Sequence, residues 1–321
     1  MIVLKRWALF IFSLFQIVWL AGCVEKTYTP IERGKAFVAS LNIQEPSLDF
    51  IDDEGEIVAS WLFERAYSGA VLIGEDRLLL YGNQLENIDL YDLTTGQMLY
   101  SKKVGIGTTN VCYSEDTQHF FVANNKTNTV TSFDREGNRL ESQQLGNYPM
   151  SMVATKDKLY VINYKDTKLS VLNIDNLAVE QEWPITKSSH GIVMIEETNE
   201  IWIGGHGEGS QPNRTVKRYD LSSGKQLGVI EMPLMPVGLM KADDEILVVS
   251  HGRNELYVAD FNGTIKWHLQ VGANPFVVNK LNDWIVVAGY DDNKLYFVKD
   301  AKVQKTVDVG KGSFQLLVRE E

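Results

Sequence analysis

The sequence predicts an all-β fold: a seven-bladed β-propeller of four-stranded antiparallel blades, closed by the C-terminal strand joining the N-terminal blade. Three observations carry this reading. A hairpin phrase recurs at a near-constant interval, each interval holds four short strands, and the two chain ends supply complementary parts of one blade.

The recurring phrase is an alternating strand that ends in Asp, a short turn with Gly, and a further strand. It reads DFIDDEGE, DLYDLTTGQ, TSFDREGNR, KRYDLSSGK and YVADFNGTI, with weaker copies at SVLNIDNLA and YFVKDAKVQ. An Asp at that corner accepts hydrogen bonds from turn amides, and Gly takes the positive φ that a tight turn or bulge needs. Anchored on Asp52, Asp92, Asp134, Asn173, Asp220, Asp260 and Asp300, the copies lie 40, 42, 39, 47, 40 and 40 residues apart.

Each unit has room for four strands. The third reads NVCYSE, HFFVANN, TVTSFD and NRLESQQL; the sixth reads PVGLMKA, EILVVSH, ELYVADF and TIKWHLQV. Four strands per repeat of about 40 residues is the propeller pattern. A two-sheet sandwich gives no reason for near-equal repeats. Before the first hairpin only AFVASL (36–41) fits, and after the last hairpin SFQLLV (313–318) is surplus. Joined, they complete a blade and remove two exposed strand edges.

The N-terminus reads differently. Lys5 and Arg6 precede the apolar run WALFIFSLFQIVWLAG, which ends at Cys23. A short positive region, an apolar region and small residues form a secretory leader. The run is marginal as a span, since a membrane helix needs about 20 apolar residues. Leu20-Ala21-Gly22-Cys23 resembles the lipobox of bacterial lipoproteins, which implies cleavage before a diacylglycerol-modified Cys23. The expected organisation is a signal peptide over 1–22, a lipidated N-terminus and polar tether over 23–35, and a propeller over 36–321. The chain is then extracytoplasmic, with the membrane as partner through acyl chains that anchor by roughly 0.8 kcal/mol per buried CH₂.

The second strands carry a further likeness. FFVANN and LYVINY, with the lead-ins LGNYPMSM and VGANPFVV, look like the YVTN-type propeller repeat, although IWIGGH and IVVAGY lack its Asn. That resemblance implies the fold and extracytoplasmic or surface roles; it implies no single activity.

Charge narrows the partners. The formal net charge is −11, and loss of Lys5 and Arg6 with the leader makes it −13. That balance disfavours nucleic acid, which needs clustered Lys and Arg. Besides Cys23 the chain has only Cys112, in an apolar strand with no basic neighbour, so it reads as a small core residue. No CxxCH is present for covalent haem. The Trp residues read as blade packing.

Functional side chains are expected on the face where the loops from fourth to first strand and from second to third strand gather. The first set offers Arg65, Tyr67, Asn110, Tyr148, His190, Met235, Asn274 and Lys311; the second offers Asn83, Asn124, Asn163, Tyr164, His206, His251, Arg253, Tyr290 and Asp291. His190, His206 and His251 are the catalytic or metal candidates, because imidazole carries protons and binds metals near neutral pH. No HxH or HExxH spacing supports them, and loop hydrogen bonding is the plainer role. No cofactor is expected; a divalent metal is what those histidines could hold.

Tyr148, Tyr164, Glu208, Arg253, Tyr290 and Asp291 are the ligand-binding candidates. The segment GGHGEGSQPNRTV (204–216) explains the 47-residue interval, and its four Gly and one Pro resist regular structure while grouping His206, Glu208 and Arg214. GIG and GGHGEG lack the helix that would present amides to phosphate. The repeated hairpin aspartates read as structural. The functional expectation is a membrane-tethered module that binds an envelope protein or a small ligand; the alternatives are a propeller lyase or hydrolase, or a metal or redox accessory protein.

Overall fold

The computed structural model describes residues 27–320, so the leader and Cys23 lie outside the described residues. Seven four-stranded antiparallel sheets form the ring. Blade 1 combines Phe37–Asn42, Ser47–Ile51 and Ile57–Leu62 with the C-terminal strand Ser313–Arg319 as its innermost member. From the innermost strand outward, blade 2 is Gly69–Ile73, Arg77–Tyr81, Asn87–Asp92 and Gln97–Lys103. Blade 3 is Thr108–Ser114, His119–Asn124, Thr129–Phe133 and Arg139–Gln144. Blade 4 is Pro149–Ala154, Lys158–Asn163, Lys168–Asn173 and Val179–Pro184.

Blade 5 is Ser189–Ile195, Glu200–Gly205, Thr215–Asp220 and Gln226–Glu231. Blade 6 is Pro236–Ala242, Glu245–Ser250, Glu255–Asp260 and Ile265–Gln270. Blade 7 is Pro275–Leu281, Trp284–Gly289, Lys294–Lys299 and Lys302–Asp308.

The expected closure is present. Phe37 pairs with Arg319 and Leu41 with Gln315, so both chain ends share one sheet. Arg319 is 5% exposed. Its guanidinium sits 4.7 Å over the Phe37 ring and donates to Lys35 O and to Asp76 Oδ1 at 3.1 Å.

Second strands are buried on both faces because each blade is packed between two others. Phe120, Phe121, Val122 and Ala123 are therefore all apolar and all buried, a continuous run rather than an alternation. Outermost strands face solvent, as Arg139–Gln144 does, and their Lys, Arg, Glu and Gln side chains discourage pairing with another chain. Apolar clusters fill the spaces between blades; between blades 2 and 3, Leu79 and Leu90 join Val122 and the cross-strand pair Phe120 and Phe133, stacked at 5.2 Å.

The hairpin corners do what their sequence predicts. Asp134 Oδ1 accepts from the amides of Glu136 (3.0 Å) and Asn138 (2.7 Å). Asp52, Asp92, Asp220 and Asp260 cap their own turns, and Asn173 does so with its amide oxygen. These turns, and those joining first to second strands, lie on one face, and every one carries an Asp or Glu at or beside its corner.

Part of the stretch expected as a tether, 23–35, packs against the ring within the described residues. Tyr28 N donates to Gly96 O at 2.9 Å and Ile31 N to Leu93 O at 2.7 Å, while Trp61 Nε1 donates to Thr29 O. The Tyr28 ring stacks on Trp61 at 4.8 Å and Ile31 is 2% exposed. Residues 28–31 thus dock across blades 1 and 2, because two apolar side chains in a polar stretch find a ready aromatic groove.

Candidate functional site

Six of the seven innermost strands open with a register shift, for instance between Thr108 and Asn110, between Ser189 and Ile192 and between Pro275 and Val277. A bulge bends its strand and re-aims a side chain. The residues at the shift are Thr109, Met150, His190, Val237, Phe276 and Phe314, and all six line the central channel.

Neighbouring innermost strands are tied directly to one another near these bulges. Thr109 Oγ1 donates to Pro149 O and Ser151 Oγ to His190 O, both at 2.6 Å. Gln315 exchanges two bonds with the backbone of Ala70. At the matching places in blades 5 and 6 the chain has Gly191 and Gly238, where a Cβ would stand 2.4 Å from Val237 O and 2.6 Å from Phe276 O. The ring is narrow on that side because glycine allows it.

At the mouth, side chains from the bulges meet side chains from the loops after the second strands. His190 lies 5.7 Å from His206, His206 5.5 Å from His251, and His251 4.3 Å from Phe276, ring centre to ring centre. Phe276 then contacts Tyr290 and Phe314, each at 5.4 Å. Six rings make a continuous arc over blades 5, 6, 7 and 1.

The imidazoles of this arc are held neutral. Burial, then the neighbouring His206, pushes His190 down to about 4. His206 is lowered by burial and then by His251; burial also lowers His251, against the opposing field of Asp291. Nδ1 of each of the three has no hydrogen-bond partner. Removing these rings from bulk water disfavours the imidazolium, and only His251 has a carboxylate, Asp291, that opposes this.

Below the arc the channel holds a cavity of about 260 Å³ to which every blade contributes, and no Asp, Glu, Lys or Arg lines it. Met150, Ile192, Val237, Leu239 and Phe276 supply apolar surface.

The structure brings together four of the expected site residues, His190, His206, His251 and Tyr290, with Asp291 beside them. Tyr148 and Tyr164 form their own pair at 5.9 Å in blade 4, with Lys165 4.7 Å above Tyr148. Glu208 turns away to Lys187 at 2.5 Å, and Arg253 is exposed, its Nε 3.9 Å from Glu255. The 204–216 segment is more regular than its glycines suggest: Gly204 and Gly205 end a strand, and Gly207 pairs with Pro212 and Glu208 with Gln211 in a small hairpin. His190 and Asn110 lie in innermost strands, not in loops. Among the described residues no group of three His, Cys, Asp or Glu could hold a metal ion. The three histidines form a row instead of converging.

Phe276 and Phe314 were not singled out in the sequence. Their signal is positional: each follows the Pro or Ser that opens an innermost strand, as Met150, His190 and Val237 do. Cys112 packs at an inter-blade cluster, and burial pushes its thiol up to about 12, away from thiolate reactivity.

No protein-family model and no curated protein sequence matches the chain. Solved structures do. A functionally unknown protein from Desulfotomaculum acetoxidans superposes with a TM-score of 0.74 at 9% identity, over 88% of this chain and 99% of that one. Hydrazine synthase from Kuenenia stuttgartiensis gives 0.70 at 13%, over 87% and 99%. Virginiamycin B lyase from Staphylococcus aureus gives 0.63 at 14%, over 76% and 84%. These likenesses show the fold alone. Neighbours this varied in role leave function to be argued from the site.

Proposed function

We propose that the protein is an extracytoplasmic binding module, tethered to the membrane by lipid on Cys23, that takes its ligand at the channel mouth. The observation that carries the binding role is the six-ring arc above an uncharged channel. Such a surface offers stacking and apolar contact, and its neutral imidazoles form no convergent ligand set for a metal. The lipobox-like LAGC and the YVTN-type strands support the extracytoplasmic setting.

A second reading, a lyase or hydrolase at the same mouth, draws on His251 beside Asp291, an imidazole with a nearby carboxylate that could move a proton. One experiment separates the two. The purified full chain is incubated with a small-molecule envelope extract, and species retained on the protein are identified by mass spectrometry beside a Phe276→Leu variant. A compound retained unchanged by the parent and lost from the variant supports binding. Steady conversion of that compound, lost in His251→Ala, supports the enzyme. Equal retention by the parent and the Phe276→Leu variant overturns the mouth as the site.

A further inference from the structure

We infer that the ligand of the channel mouth is an uncharged, flat molecule of about bicyclic size with a single polar edge. This rests on the reading that the mouth is the binding face, and it sets the chemistry of what binds there.

Size comes first. The cavity of about 260 Å³ lies below the roughly 300–1,000 Å³ of pockets that take drug-sized ligands. A fused pair of rings is near the upper limit of what such a space encloses. A peptide segment or a sugar chain would have to remain largely outside.

Charge comes second. With no Asp, Glu, Lys or Arg in the lining, a carboxylate, phosphate or ammonium entering the channel would give up its hydration without a counter-ion. The three imidazoles offer no compensation, because burial favours their neutral form.

Shape comes third. His190, Phe276 and Phe314 line the cavity, half-buried, and continue into the arc of ring contacts outside it. Aromatic faces favour offset or edge-on contact with another planar ring. On the far side the polar lining is mostly occupied: Thr109, Ser151 and Gln315 spend their hydrogen-bonding groups on the backbone of the next blade. What the protein leaves unused in this lining is Asn110, which makes no side-chain bond. A ligand with many polar groups would leave most of them unpaired, whereas one polar edge can be served.

The test uses indole as the probe, since it is flat, uncharged and carries one N–H donor, against indole-3-acetate, which adds only a carboxylate arm. Binding to the purified full chain is measured by saturation-transfer NMR and by titration. The expected result is indole binding with a Kd on the order of 1 mM or tighter, at least tenfold tighter than indole-3-acetate. Phe276→Leu and Phe314→Leu, which keep apolar volume and so keep the fold, should each weaken indole by at least fivefold; Leu140→Ala, exposed on an outermost strand, should leave it within twofold. Absence of transfer to indole, equal or tighter binding of indole-3-acetate, or unchanged binding in both Leu variants overturns the inference. If indole fails while the extract experiment still retains a compound dependent on Phe276, the ligand class falls and the binding face stands.

Discussion

Arg319, two residues from the chain end, is clamped to Asp76 in the first turn of blade 2, with Nη1 3.1 Å from Oδ1. The same carboxylate takes Arg33 Nε at 3.0 Å on its other oxygen. One Asp therefore collects an arginine from the start of the ring and another from its end. Replacing Arg319 by Ala removes a buried side chain together with its bonds to Lys35 O, Glu32 O and Glu75 O. Loss of about 3 kcal/mol is expected, read as a lower urea midpoint with an unchanged slope. Deleting residues 313–321 should abolish cooperative unfolding altogether; an equally stable truncated ring would refute the closure.

The docked segment makes a separate contribution. Tyr28 stacks on Trp61 and meets Phe63 and Tyr91 edge-on at 5.5 and 5.6 Å. Tyr28→Ala should cost about 2 kcal/mol in the full chain. A change under half that size would mean the segment rides on the ring without supporting it.

Stability should depend on pH through the arc. His190 has an ordinary value of 6.5 and a folded value of about 4. Between the two, the unfolded chain takes up a proton that the folded chain refuses, so stability is lost as pH falls from 6.5 towards 4 and levels off below. The shift corresponds to about 3 kcal/mol at most for this residue, with His206 and His251 moving the same way. The window from pH 6.5 to 5 lies above the range of the hairpin aspartates, whose carboxyls are held low by turn amides. Urea unfolding across that window should show the slope in the parent and a flatter one in His190→Gln. Equal slopes would refute burial as the cause.

The hairpin corners should matter to the fold and not to the ligand. Asp134→Ala removes the acceptor of two turn amides and should cost about 1 kcal/mol. Indole binding by that variant should match the parent.

Anchoring is tested at Cys23. Metabolic palmitate labelling should be present in the parent and lost in Cys23→Ser; persistence of label in the variant would place the lipid elsewhere, and an unlabelled parent would exclude it.

The ring was legible in the sequence because Asp and Gly together mark five of its seven hairpins, and few residues replace them there. Part of the histidine row was legible too, since His206 and His251 follow the second strands of neighbouring units, while His190 comes from the innermost strand of the same blade as His206. Two kinds of feature were hidden. Bulges turn Phe276 and Phe314 into the channel, and a period-2 pattern does not register a bulge. Docking of Tyr28 and Ile31 depends on the groove between blades 1 and 2, which exists only once the ring has closed. The setting of Glu208 was hidden for a related cause: a short side hairpin directs it to Lys187, and spacing alone does not show direction.

The place where the chain leaves the ring has a geometric outcome. Residues 32–36 pass the acidic turns, with Lys35 3.2 Å from Asp52 and Arg33 on Asp76, whereas the mouth lies on the other face. Between Cys23 and Thr27 there are few peptide units, spanning at most about 14 Å. If Cys23 carries lipid, as proposed, so short a leash makes compass direction a property of the fold: the acidic rim would stand over the bilayer and the aromatic mouth would look away from it.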